Sequence, residues 1–343
     1  MSKPVSKGTG ANAGFQALVE AETVDEFVHS QTTRNSDKYK KDIKELNEDE
    51  KKIERFVANG DKNRYLNIAR FDEYLDMNDA DYYVHANTFK SPYGRFIISQ
   101  APLPNTRDDQ VHLIWLYNVR TIVVLTEPEE AGGYFSLEEK GKYTVFLQYS
   151  MTTVSIQDEK QGITVYQCEL KSMKTGEKRL IYIICCPTDV TGLRNTRMQA
   201  VALEYMWACQ ETLEMEEIRL TTILVHGESG TRRCAAFIAS AIMCRQILET
   251  GKFTAMETWV ELRKRRCCSC RMHDFYSSLA TVFCFCAQCA IVSMNDQKFM
   301  KTMDVLKSFL EKPAPGAATP AGGAGGAPLP PTGAAAGGPP VAF

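Results

Sequence analysis

No apolar run in this sequence approaches the length of a transmembrane helix, so a membrane-spanning helix is not expected. The opening residues, MSKPVSKGTGANAG, lack the apolar core of a secretory signal. Neither sign of charge is in excess. Forty Lys and Arg stand against 42 Asp and Glu, a formal net charge of −2, which argues against a general nucleic-acid binder. Charged residues are missing altogether from Pro313 to Phe343, where Ala, Gly and Pro dominate. Such a segment has too little apolar surface to bury, and it is expected to be a disordered tail. Cysteine, by contrast, is plentiful, with twelve in 343 residues. In a chain of this size without a secretory signal, that number implies reduced thiols and a cytoplasmic location.

What is present reads as an ordinary globular body, 44% hydrophobic and 24% charged. Residues 1–14 are polar and Gly-rich and are expected to be disordered, and 15–60 carry sparse apolar residues suited to short amphipathic helices. The main domain is expected over 61–293, followed by a helix over 294–312 and the tail over 313–343. Within the domain, continuous or alternating apolar runs predict strands at 121–126, 143–148, 151–157, 162–171 and 178–185. Three- and four-residue apolar spacing predicts helices over 194–215, 233–248, 254–264 and 272–292. Thr106 is a candidate N-cap for a helix holding Trp115, and Gly251 is a stop signal.

The chain is organised around Ile223 to Ala236, ILVHGESGTRRCAA: an apolar strand, a short Gly-bearing turn, then a helix of small and apolar residues. That geometry binds phosphate, because successive backbone N–H groups curl around the anion and the helix dipole favours negative charge there. An Arg where loop meets helix adds a bidentate fork to two phosphate oxygens. The stretch resembles the signature loop of the protein-tyrosine phosphatases, VHCxxGxxRxG, in which Cys is the nucleophile and Arg holds the phosphate. His226, Gly230 and Arg233 fall in register, and the nucleophile position is Gly227.

The resemblance extends from Asp61 to Val292. Lys62-Asn63-Arg64-Tyr65 matches the KNRY element, which puts Tyr65 where the family's ring flanks the phosphotyrosine, with Asn67 in place of an Asp that anchors the substrate backbone. Asp81 to Asn87 resembles DYINAN, and Arg95 to Thr106 follows YIxTQxPLPxT. Cys185-Cys186-Pro187-Thr188-Asp189 stands where the family carries WPD, so the general-acid position is Thr188, with Asp189 one residue late. Leu262 to Arg266 matches LRKxR, read as a charged helix end beside a basic pocket, and the continuation puts Arg271 where a Gln orients the hydrolytic water. Cys267-x-x-Cys270 and Cys286-x-x-Cys289 have zinc-ribbon spacing, but a helix over 272–292 would separate the pairs by on the order of 20 Å. They are read as small hydrophobes, and neither a metal nor a cofactor is expected.

The resemblance implies an α/β protein-tyrosine phosphatase fold, a highly twisted mixed sheet flanked by helices on both sides. It further implies a catalytically degenerate member, with Gly227, Thr188 and Arg271 at the nucleophile, acid and water-orienting positions. Phosphotyrosine would be held by Arg233, Tyr65 and the loop Glu228, Ser229, Gly230, Thr231 and Arg232. Three functions compete: a phosphotyrosine-binding module in signalling, a scaffold using other surfaces over a vestigial pocket, and an active phosphatase. Arg232 and Glu228 could also pair and close the pocket. Pro328-Leu329-Pro330-Pro331 contains a PxxP that would suit an SH3 or WW partner.

Overall fold

The computed structural model describes residues 51–75, 82–139, 143–146, 148–158, 162–188, 193–213, 222–267, 269 and 272–311. The expected disordered ends (1–14 and 313–343) lie outside the described residues, as does all of the 15–60 extension before residue 51. So do Asp189, Cys268, Cys270 and Arg271. The described helices are α1 (Glu54–Ala58), α2 (Arg107–Leu116), α3 (Leu193–Thr212), α4 (Arg232–Thr250), α5 (Ala255–Arg265), α6 (Met272–Gln288) and α7 (Gln297–Leu310). The strands are β1 (Ala86–Ser91), β2 (Gly94–Gln100), β3 (Thr121–Val124), β4 (Tyr143–Phe146), β5 (Tyr149–Asp158), β6 (Thr164–Ser172), β7 (Lys178–Cys185) and β8 (Thr222–Gly227).

Among the described residues, eight strands form one sheet in the order β1-β2-β8-β3-β7-β6-β5-β4. Its centre is parallel, with β8 between β2 and β3, and β3 against β7. Its flanks are antiparallel, a β1–β2 hairpin on one side and a β7–β6–β5–β4 meander on the other. Strand alternation divides the core in two. Phe96, Ile98, Val123, Val225 and Leu125 face a layer built by α3, α4, α5, α6 and α7. Ile97, Ile122, Val124 and Leu224 face the opposite way, onto Val111, Leu113 and Ile114 of α2. Because both faces are covered, β3 is buried at every position from Thr121 to Val124 rather than at alternate ones.

Gly251 ends α4 as expected, at φ 70°. Thr106 does not cap α2. Its hydroxyl instead accepts from the Leu103 N–H at 2.8 Å, drawn back by the short 3-10 turn Pro104–Thr106, and α2 starts with no side-chain cap bond. The parallel centre places the carboxyl ends of β3, β7 and β8 side by side, and the candidate site stands there.

Candidate functional site

Strand β8 runs two residues further than the apolar run suggested, through His226 to Gly227, because its neighbours hold it there. His226 accepts from Leu125 N–H at 2.9 Å and Gly227 from Ala101 N–H at 2.7 Å. The chain then turns through Glu228 to Thr231 and enters α4 at Arg232. Ala235 donates to the Thr231 carbonyl at 2.8 Å, whereas the amides ahead of it at the helix start have no intrahelical acceptor.

Two glycines shape the turn differently. Gly230 sits at φ +60°, and a Cβ there would lie 2.0 Å from the Ser99 carbonyl oxygen, so only glycine lets the loop press on β2. At Gly227 a Cβ would meet Cys234 Sγ at 3.3 Å and Leu125 Cβ at 3.8 Å. A small side chain fits there with slight adjustment. The backbone at Gly227 thus leaves room for a small side chain, and glycine carries none.

Arg233 is half-buried, and its Nη1 donates to the carbonyls of Thr188 and Leu125, the latter at 3.2 Å. Two main-chain carbonyls, one after β3 and one after β7, thereby hold the Nη1 end of the guanidinium. Thr188 contributes through its carbonyl; its side chain is 2% exposed, and the hydroxyl has no hydrogen-bond partner among the described residues. Arg232 turns away from the loop and forms a fork on Asp274 of α6, at 2.9 and 3.0 Å. The sequence left open a pairing of Arg232 with Glu228; that pair does not form. Glu228 is exposed and accepts instead from the hydroxyl of Tyr65, across the mouth of the loop. That hydrogen bond, then burial and the Glu228 charge, raise the Tyr65 phenol above its usual range against the opposing effects of Arg64 and Arg233, so it is a neutral donor. Ser229 and Thr231 share a hydroxyl–hydroxyl bond of 2.8 Å.

Tyr65 is placed by its neighbours. Arg64 N–H donates to Gln100 Oε1 at 3.0 Å, Gln100 Nε2 donates to the Lys62 carbonyl at 2.9 Å, and Lys62 pairs with Asp109 at 2.9 Å. Gln100 ends β2 beside Gly227, so the Tyr65 segment and the loop share one support.

The largest departure from the sequence reading is Arg266. It is a fully buried guanidinium beneath the loop and not a charged helix end. It donates to the carbonyls of Gly230 (2.8 Å) and Ser229 (3.2 Å), to Asn87 Oδ1 (3.0 Å) and to His85 Nδ1 (2.9 Å). Burial lowers its pKa to about 10, which still leaves it charged at neutral pH. It follows α5 in an extended conformation that turns its side chain inward. His85 fits this role because its Nε2 donates to the Ile68 carbonyl at 2.8 Å, leaving Nδ1 to accept. The LRKxR match marked this residue, but periodicity could not show which way it faced.

His226 is also buried, with Nε2 2.8 Å from the Tyr134 hydroxyl, and burial depresses its pKa to about 3, so the ring is neutral. Cys234 sits directly under Gly227, and burial pushes its thiol up to about 12 despite Arg233 and Arg266 nearby. It is therefore a neutral thiol near neutral pH. No group of three or more metal-ligating side chains occurs among the described residues.

The family described as Protein-tyrosine phosphatase matches residues 59–285. The human receptor-type tyrosine-protein phosphatase eta is 26% identical over 257 residues, 71% of this chain and 18% of that protein. Human tyrosine-protein phosphatase non-receptor type 5 is 27% identical over 192 residues, 54% of this chain and 32% of that protein. Tyrosine-protein phosphatase 1 of Dictyostelium discoideum is 29% identical over 214 residues, 55% of this chain and 40% of that protein. The chain thus matches less than half the length of each of these relatives. The crystal structure of a Trypanosoma cruzi protein tyrosine phosphatase matches with TM-score 0.57 at 16% identity, over 73% of this chain and 92% of that one. The likeness establishes the fold: a mixed sheet with helices on both faces.

Proposed function

The chain belongs to the protein-tyrosine phosphatase family, and from that premise we propose that it binds phosphotyrosine-containing proteins without hydrolysing them. One observation carries the reading: Arg233 is pinned through Nη1 to the Leu125 and Thr188 carbonyls at the end of a loop whose first position is Gly227. The anion-holding half of the site is assembled, and the attacking half has no atom to attack with. Hydrolysis through a covalent intermediate requires a thiolate to displace tyrosinate at phosphorus and an acid to protonate the leaving oxygen. Gly227 has no side chain, and the Thr188 hydroxyl is not an acid near neutral pH. The buried charge of Arg266, whose hydrogen-bond partners among the described residues are all neutral, adds positive potential beneath the loop.

A signalling adaptor of this kind would work in the cytoplasm, in keeping with its many cysteines. Its tail could add an SH3 or WW contact through Pro328 to Pro331. The test is titration with a phosphotyrosine peptide and its unphosphorylated twin, combined with phosphate release. Expected are phosphate-dependent binding, no release above background, and at least tenfold weaker binding in Arg233→Ala, since a charge-assisted hydrogen bond is worth about 1.5–3 kcal/mol. Vanadate-sensitive turnover that disappears in Arg233→Ala would overturn the absence of catalysis. A second reading, a scaffold with a closed pocket, is favoured by the Tyr65–Glu228 bridge across the loop; binding indifferent to phosphorylation would select it.

A further inference from the structure

We propose that Glu228 makes the pocket select phosphotyrosine peptides that carry a Lys or Arg beside the phosphotyrosine. The inference rests on the phosphotyrosine-binding reading and names the class of ligand that reading leaves open. Its basis is the distribution of charge around the loop. Arg232 is committed to Asp274 by two bonds of 2.9 and 3.0 Å. Arg233 and the fully buried Arg266 keep their charges, since their partners among the described residues are neutral, and act on the phosphate from within the loop, but neither bonds Glu228. Lys62 pairs with Asp109 at 2.9 Å, and Arg64 reaches the Ala101 carbonyl at 3.4 Å. Among the described residues, the exposed Glu228 carboxylate is left with the Tyr65 phenol.

A neutral phenol satisfies a lone pair and leaves the charge in place. Beside Tyr65, Leu66 is 73% exposed, so the residue following the ring offers no charge of its own. A phosphate dianion in the loop therefore brings a second negative group close to Glu228. A cation one residue from the phosphotyrosine relieves that repulsion, and an acidic neighbour compounds it. Both contributions act at a solvent-exposed rim and are individually small. Together they rank ligands.

The experiment uses the whole chain and three phosphotyrosine peptides that differ only in Lys, Ala or Asp on both sides of the phosphotyrosine, with unphosphorylated twins. Wild type is expected to bind them in the order Lys, Ala, Asp, with about a fivefold to tenfold spread that narrows at high salt. Glu228→Gln should flatten the order and Glu228→Lys should reverse it, while Arg233→Ala weakens all three. Equal affinities in wild type, or an order that survives Glu228→Gln, would overturn the proposal and leave the phosphotyrosine reading standing. Binding that appears only in Glu228→Gln would make Glu228 a plug and overturn it as well. The absence of phosphate-dependent binding in both wild type and Glu228→Gln would overturn both.

Discussion

At Gly227 the proposed absence of catalysis can be tested on a single side chain. A Cβ built there would stand 3.3 Å from Cys234 Sγ, so Gly227→Cys brings two sulfurs within reach of each other, close to the geometry a disulfide requires. Under mild oxidation the variant should form a Cys bridge from position 227 to Cys234, seen as a dithiothreitol-reversible loss of free thiol in peptide mapping. In the reduced form the new thiol would lie at a helix N-terminus near Arg233, which lowers its pKa, and beside Glu228, which raises it. With Thr188 unable to protonate tyrosinate, it should turn over an activated aryl phosphate before a phosphotyrosine peptide. Adding Thr188→Asp should chiefly improve the peptide, by a factor within the roughly 10²–10⁴ that acid catalysis supplies. Equal gains on both substrates would mean that another acid already serves.

At the scale of elements, the strand–loop–helix unit was legible in the sequence because its signals are local. Strand, turn glycine and helix start lie within Ile223 to Ala236, and the observed boundaries of β8 and α4 differ from the expected ones by at most two residues. What holds the unit was not legible, because it arrives from far along the chain: Tyr65 to Glu228 spans 163 residues, and Arg266 to His85 spans 181. No hydrophobic period encodes such polar contacts. Two substitutions test this support. Gly230→Ala forces an L side chain into φ +60° and onto the Ser99 carbonyl, and it should cost more than about 3 kcal/mol in denaturant unfolding. Arg266→Leu strands the buried Gly230 carbonyl, at about 1–3 kcal/mol, and the part-buried Ser229 carbonyl at less. Its melting temperature should fall, and phosphopeptide affinity should fall with it. Arg266→Lys keeps the charge and loses the fork, so a variant with wild-type affinity would show that charge alone supports the loop.

Across the whole molecule, buried neutral imidazoles couple stability to pH on both sides of the loop. His85 stands beneath it, against Arg266, and His226 leads into it, against Tyr134. Burial first, joined at His85 by the Arg266 charge, depresses both pKa values from about 6.5 to about 3. Both are therefore neutral when folded, whereas the unfolded chain takes up protons as pH drops below about 6.5. The stability they confer is fully present above that pH and is lost progressively as pH falls toward 3. Between pH 7.5 and 5.5 most exposed carboxylates stay ionised, so this window isolates the imidazoles. The loss by pH 5.5 should be on the order of 1 kcal/mol per histidine. Urea unfolding at the two pH values should show the wild-type midpoint falling on acidification. His226→Gln should be less stable at both, for want of its fit to Tyr134, but its midpoint should fall less between them. The readout is thus the difference between two midpoints rather than either one. A pH dependence unchanged in His226→Gln would assign the acid sensitivity to other groups and remove His226 from the account.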